Sequence, residues 1–456
     1  MTAMTETSRA PSADRPLAER PVVIGNEAYT SATYAREEAD KLWPRVWQVA
    51  CRAEEIEKVG DYVTYEILDE SIIVTRVAPD RIAAYYNACQ HRGRKLTEGC
   101  GHAKRFVCKF HAWSWDLEGR NVGVVREEAW EGKLCKDDIA LKKVKVDTWG
   151  GWVFINMDPD CQPLREYLEP AATMLDPFEL QEMRYRWRQW LYFPCNWKVA
   201  IEAFNEGYHV LGTHPQLTKY SAKATWSEAR GIHGNFGSAA REGVGGASSG
   251  ASGAADMREG LKHSLNQIWE EVNATTTQTM VDVANRLEVE LPEGTPAPQV
   301  QMHLMKRTIE EDAKRGVIWP QIDPAHMAAA GNDWHIFPNS VILQGPTFAL
   351  CYRARPNGYD PDSCIFEVYT LERFPEGQEP KPENLYRPDI DEANWRKVLC
   401  QDFSNMGAVQ RGMKSRGFTG MRPSPEEERA ITNFHRVLSE YMDGKGVPVP
   451  MEQAKA

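Results

Sequence analysis

Hydrophobic positions along this chain change their period more than once. Over residues 32–47, Tyr34, Ala35, Ala39, Leu42, Trp43, Val46 and Trp47 recur at helical spacing, with a bend expected at Pro44. After Gly60 the apolar positions alternate instead. Residues 62–67, 71–76 and 81–86 read as short strands divided by Asp, Glu, Pro and Gly. Residues 106–108 and 149–156 continue that pattern, so 45–156 is expected to form a small all-β domain. Helical spacing returns over 164–175 and 196–211, on either side of a strand at 183–193. Further along, 257–283, 302–315, 391–414 and 425–441 predict helices, and 334–338, 340–350 and 364–372 predict sheet. Segment 231–260 turns to Gly, Ala and Ser and reads as a mobile loop or linker, and residues 1–25 read as a flexible arm. The result is an α+β chain without internal repeats.

Two boxes stand in the β region, Cys89-Gln-His91 and Cys108-Lys-Phe-His111, with sixteen residues between them. Each offers one thiolate and one imidazole. Structural zinc motifs usually pair like with like. The mixed boxes instead suit a [2Fe–2S] cluster in which two thiolates hold one iron and two imidazoles the other, raising its potential. Gly93 supplies a tight turn after the first box, and Trp113 and Trp115 are placed to shield a cluster after the second.

A second constellation follows in 196–214, where His209 and His214 lie five residues apart. On an ideal helix that spacing separates them by about 140°, so one straight helix cannot aim both at one metal. Gly212 and Pro215 let the helix end and the chain turn back. Two imidazoles and one carboxylate form the facial triad of non-haem Fe(II) oxygenases. The carboxylate must come from Glu202, from Glu206 or from elsewhere. The preferred candidate is Asp402, on the face of a late helix. Glu206, three residues before His209, is better placed to hydrogen-bond an imidazole N–H from outside the ligand set.

Composition narrows the setting. The 456 residues are 42% apolar and carry a net charge of −11, which suits a soluble enzyme and offers no basic run for nucleic acid. No window approaches a transmembrane helix, and the first 21 residues lack an apolar leader core, so no membrane partner is expected. The ten scattered cysteines fit a cytoplasmic protein with thiols as ligands or core residues.

Taken together, the two boxes, the Asn196-Trp-Lys198 lead-in, Glu206-Gly-Tyr-His209 and the late Gln401-Asp402…Gln410-Arg-Gly412 segment resemble the Rieske non-haem iron oxygenases. The likeness is to the large or alpha subunit of the aromatic-ring-hydroxylating type. The resemblance implies an all-β Rieske [2Fe–2S] domain, 45–156, inserted in a helix-grip catalytic domain of antiparallel sheet and helices. Residues 1–44 and 157–456 would form that domain, with a lid or flexible insertion at about 221–321. It implies one cluster and one mononuclear Fe(II) per chain, O2 as cosubstrate and a small-molecule substrate. NAD(P)H would act indirectly, through a separate reductase or ferredoxin. It also implies a head-to-tail homotrimer, α3 or α3β3, in which Glu206 bridges His209 and the partner subunit's His111. Glu in place of the commoner Asp at 206 is shared with relatives acting on quaternary amines. Ala112 departs from the usual Gly after the second box, and Ala203 from the Asn many relatives carry after the helix Glu. The implied activity is hydroxylation of an aromatic or other hydrophobic molecule. Alternatives are monooxygenation or demethylation of a quaternary amine or alicyclic substrate, and electron transfer without oxygenase activity.

Overall fold

The computed structural model describes residues 21–218, 225–237 and 256–443. The alternating amino-terminal stretch folds as predicted into strands: β1 (Gln48–Arg52), β2 (Asp61–Ile67), β3 (Glu70–Ala78), β4 (Arg81–Tyr86), β5 (Cys100–His102), β6 (Phe106–Val107), β7 (Ser114–Trp115), β8 (Asn121–Gly123), β9 (Lys143–Trp149) and β10 (Trp152–Asn156). Seven of them form one sheet in the order β1-β10-β9-β4-β3-β2-β5, and β6-β7-β8 form a small second sheet. Between the two lies a separate apolar cluster that includes Cys89, Cys108, Trp113 and Trp115.

The remainder is built on an eight-stranded sheet. Its strands are β11 (Arg184–Phe193), β12 (Trp226–Arg230), β13 (His233–Gly237), β14 (Asp333–Ile336), β15 (Ser340–Gln344), β16 (Phe348–Pro356), β17 (Cys364–Glu372) and β18 (Asn384–Tyr386). The order is β12-β13-β14-β15-β16-β17-β11-β18, antiparallel except for the β11–β18 pair. One face, carrying Cys351, Arg353 and Tyr369, meets the amino-terminal module, where Trp152 Nε1 donates to Tyr369 at 2.8 Å. Strand alternation turns Tyr352 and Phe366 to the opposite face, where Phe204 stacks on Tyr352 at 4.0 Å. Helices Trp197–Glu202, Glu392–Met413 and Arg429–Tyr441 cover that face. Among the described residues no helix is long and apolar enough to cross a membrane.

Several sequence expectations need correction. Residues 21–25 are not a free arm: Ile24 is buried and exchanges backbone hydrogen bonds with Met421 at 2.9 and 2.8 Å. Residues 1–20 lie outside the described set. The Gly-rich reading of 231–260 hid β13, and with β12 it forms the sheet's edge, so the stretch 221–321 is not wholly an insertion. Residues 238–255 of that stretch are likewise not described. Segment 257–283 is two helices, Met257–Glu271 and Gln278–Ala284, and the helix predicted at 302–315 starts earlier, spanning Ala297–Arg315. Segment 164–175 divides at Pro170, which cannot donate to a helix.

Two histidines fix a pH dependence. His233 is fully buried, donating from Nε2 to Tyr167 O at 2.9 Å and accepting Phe337 N–H at 3.1 Å. Burial pushes it down to about 4, and pushes His335 down to about 3. Both rings are neutral in the fold, whereas the unfolded chain takes up protons below about 6.5. The stability these rings contribute is therefore complete above about pH 6.5 and is lost as pH falls from there to about 4 for His233 and about 3 for His335, by about 1.4 kcal/mol per pH unit for each ring. Denaturant midpoints measured at pH 7, 6 and 5 should fall steadily. His233→Gln should flatten the slope, and equal midpoints across that range would refute the assignment.

Candidate metal centres

The two boxes close in the same way although their spacing differs. Cys89 O accepts from Gly93 N–H and Cys108 O from Ala112 N–H, at 2.8 and 2.9 Å. In return Cys89 N–H donates to Arg94 O and Cys108 N–H to Trp113 O, at 2.9 and 2.8 Å. Residues 93 and 112 occupy the left-handed region, with φ of 74° and 56°. Gly93 does so freely, whereas Ala112 holds a conformation that costs an L-residue roughly 1 kcal/mol. The departure from Gly at 112 is thus a strained one.

These turns bring the four donors together. The His91 and His111 rings lie 4.6 Å apart, and the two thiols are within hydrogen-bonding reach of each other. Burial pushes the Cys89 thiol up. Cys108 is also desolvated, but N–H groups of Phe110 and His111 aimed at its sulfur bring it below the ordinary range. Nδ1 of both histidines is buried without a hydrogen-bond partner. Burial and the nearby His111 hold His91 low, in the neutral form that a metal requires. Trp113 stacks on His91 at 4.9 Å. Two close thiols, two adjacent imidazoles and N–H groups directed at sulfur fit a [2Fe–2S] cluster.

The second centre is assembled differently. Asn196 caps helix Trp197–Glu202 by accepting Lys198 N–H at 3.1 Å, and Lys198 pairs with Glu38 at 2.6 Å in the core. The helix ends at Glu202, well before the Gly212 expected from sequence. Residues 203–209 form a loop in which Gly207 lies against Thr225, where a Cβ would come within 2.5 Å of Thr225 Cγ2. A short helix, Val210–Thr213, follows. Glu206 and His209 therefore meet across a turn, not along a helix face. Glu206 Oε1 accepts from His209 Nδ1 at 2.6 Å and Oε2 from His209 N–H at 2.9 Å.

That hydrogen bond puts the proton of His209 on Nδ1 and leaves Nε2 free. Gln401 does the same for His214, whose Nδ1 lies 2.9 Å from Gln401 Oε1. Asp402 Oδ1 then stands 2.8 Å from His214 Nε2 and 3.7 Å from His209 Nε2. The three donor atoms lie within 4.8 Å of one another, so His209, His214 and Asp402 can face one ion. Desolvation works against charge on His209, but the Glu206 carboxylate outweighs it and leaves its affinity for protons raised. Glu202 does not join this set and instead contacts Tyr29 and His435. A cavity of about 320 Å³, lined by Val199, Ala203, Met406 and Ile431 among others, opens beside Glu206, His209 and Asp402.

With this geometry in hand, similarity decides the family. Residues 172–444 match the ring hydroxylating alpha subunit catalytic domain, and 46–134 match the Rieske [2Fe-2S] domain. The chain belongs to the ring hydroxylating alpha subunit family. It is 29% identical over 201 residues to a carnitine monooxygenase oxygenase subunit of Acinetobacter pittii, covering 42% of this chain and 54% of that protein. It is 31% identical over 205 residues to biphenyl 2,3-dioxygenase subunit alpha of Rhodococcus jostii, covering 44% and 45%. The matches thus span about half the length of these curated relatives. A solved quaternary ammonium Rieske monooxygenase in complex with L-carnitine shares the fold, with a TM-score of 0.61 at 18% identity over 95% of this chain and 99% of that one. Naphthalene 1,2-dioxygenase with indole bound gives 0.62 at 18% identity, covering 92% of each chain.

Sequence reasoning quoted Gln401 without giving it a role and did not single out Gln216, which donates to Gln401 Oε1 at 2.7 Å. The available signal was adjacency of Gln401 to Asp402. Gln401→Leu should weaken Fe(II) binding at His209, His214 and Asp402 by about 10–100-fold. Competition with a chelator measures this, and unchanged affinity would remove Gln401 from the site.

Proposed function

We propose that this chain is the terminal component of a multicomponent oxygenase. It uses O2 and electrons from a separate NAD(P)H-dependent reductase, with or without a ferredoxin, to hydroxylate an aromatic or other hydrophobic small molecule. The observation that carries the reading is the presence of two complete donor sets in one chain, one suited to a cluster and one to a facial triad. An electron carrier has no use for the second. Residues 45–156 form the electron-accepting domain, and 1–44 with 157–456 form the oxygenating domain, in a cytoplasmic protein.

Cys89, His91, Cys108 and His111 hold the cluster, and His209, His214 and Asp402 hold Fe(II). When bound, the cluster supplies single electrons and the Fe(II) supplies open positions for O2. Glu206 fixes the His209 tautomer from one side, and Gln401 fixes that of His214. Apolar side chains flank both centres on the surface: Tyr208, Leu211 and Val409 near the second, Phe110 and Val107 near the first. They support a head-to-tail trimer, with or without a β subunit, in which Glu206 meets the partner subunit's His111. A solved relative is described in terms of inter-subunit electron transfer, which fits this arrangement.

A second reading, monooxygenation of a quaternary amine, is favoured by Glu206 and by the carnitine monooxygenase relatives. Turnover with heavy-isotope O2 and a surrogate reductase separates the two. Two labelled atoms in one product mean a dioxygenase, and one means a monooxygenase or demethylase. Iron analysis should find the pair of the cluster plus one more, and Asp402→Ala should lose only the last. Glu206→Gln should keep a reducible cluster while turnover falls by about 100-fold or more. A wild-type chain holding only the cluster irons would overturn the oxygenase reading.

A further inference from the structure

Seven carboxylates are buried among the described residues. Six are answered. Lys198 pairs with Glu38, Arg186 with Glu372, and Trp319 Nε1 donates to Asp312. Glu206 and Asp402 belong to the iron site, and Glu202 meets Tyr29 and His435. Asp333 alone is unanswered: it is 0% exposed, and neither of its oxygens has a hydrogen-bond partner.

Its place in the fold puts this buried acid on the iron-site side of the sheet. Asp333 opens β14, and His335, two residues on, packs against Phe434 of the covering helix at 5.2 Å. Strand alternation turns Asp333 to the same face, the one the iron site occupies. Its charged neighbour is Glu206, and the Tyr352 phenol feels both Asp333 and Asp402. Phe204, two residues before Glu206, stacks on Tyr352 at 4.0 Å, so this ring is close to the iron-site loop and on the same sheet face as the unanswered acid. Two more buried polar groups on this side lack partners. One is the Asn205 amide, next to Glu206. The other is the Thr370 hydroxyl, in the sheet row that runs through Leu350 and Leu343 to β14.

We propose that Asp333 is the specificity-determining anion of the substrate site, receiving the ammonium group of an amine-bearing substrate that extends past Tyr352 towards Asp402. The proposal rests on the oxygenase reading and chooses among its substrates. A neutral hydrocarbon would leave the Asp333 carboxyl, the amide and the hydroxyl without hydrogen-bond partners in a dry interior, at a penalty that grows with desolvation. An ammonium cation answers the charge. The Phe204–Tyr352 stack adds ring faces that attract a cation even when its nitrogen carries no hydrogen. Burial and Glu206 together hold the empty carboxyl well above the usual carboxylate range, and a bound cation favours its ionised form.

The test is anaerobic calorimetry on the iron-loaded protein with two pairs of probes. Each pair is a cation and its uncharged-carbon isostere: choline with 3,3-dimethylbutanol, and 4-trimethylammoniobutyrate with 5,5-dimethylhexanoate. At least one cation should bind at least about ten-fold tighter than its isostere. Asp333→Asn should abolish that preference while the cluster spectrum and iron content stay unchanged. Equal affinities within both pairs, no binding of either cation, or a preference that survives Asp333→Asn would each overturn the proposal. The titration involves no turnover. A chain lacking the third iron would sink the oxygenase reading on its own evidence, and the cation preference would still be read separately.

Discussion

Two buried arginines hold together everything else in this molecule. Arg52, from the Rieske module, sends Nη2 to the carbonyls of Met183 and Leu180 at 2.8 and 3.3 Å. Arg353, from the catalytic sheet, reaches back to the carbonyls of Val49 and Ala50. Each also has a carboxylate partner, Glu54 and Glu367. A desolvated guanidinium is stable only while all of these acceptors stay in place. The reciprocal grip therefore turns two sheets into one body with a continuous apolar core. The cluster loops gain a fixed position relative to the catalytic sheet, which a flexible tether could not supply.

The two centres reach their geometry by different means. The cluster boxes are local: two short loops with matching backbone bonds supply all four donors, and their apolar surroundings are a small separate core. The iron site is non-local. Asp402 comes from a helix far along the chain, held in register partly by Gln410, which accepts Asn196 N–H at 3.0 Å. Its histidines come from a loop where a helix stops early. At the iron site the metal-facing atom of each histidine is left bare, because a carboxylate or an amide occupies the other ring nitrogen.

This difference explains what could be read from sequence. The convergence of Cys89, His91, Cys108 and His111 was legible because the two boxes are short local loops. Asp402 was legible as a candidate only in combination with the two histidines and the cluster boxes of the same chain, since a helical aspartate alone is usually a solvated one. The end of the helix at Glu202 was not legible: Val199, Ala203, Phe204 and Val210 keep a helical period across a stretch that tertiary packing bends. Strand β13 was hidden by its glycines. Gly234 and Gly237 are small because Ala430 and Trp226 press against them, a fact of packing and not of local preference. Asp333 was invisible for a deeper reason. What distinguishes it is the absence of a partner, and a sequence records only what is present.

The pairing of the chain's first described residues with its last has a bearing on biosynthesis. Tyr29 meets His435 across 406 residues, Asn26 Nδ2 donates to Met413 O at 2.6 Å, and Ile24 pairs with Met421. A ribosome releases Tyr29 406 residues before its partner His435. The β strands up to Asn156 are complete long before then, and domains generally fold as units as they emerge. The Rieske domain can thus begin to fold on a nascent chain whose catalytic domain is still unmade. The pairing locks only when helix Arg429–Tyr441 arrives, so a chain stalled short of that helix would carry a Rieske domain beside a catalytic domain that has not closed.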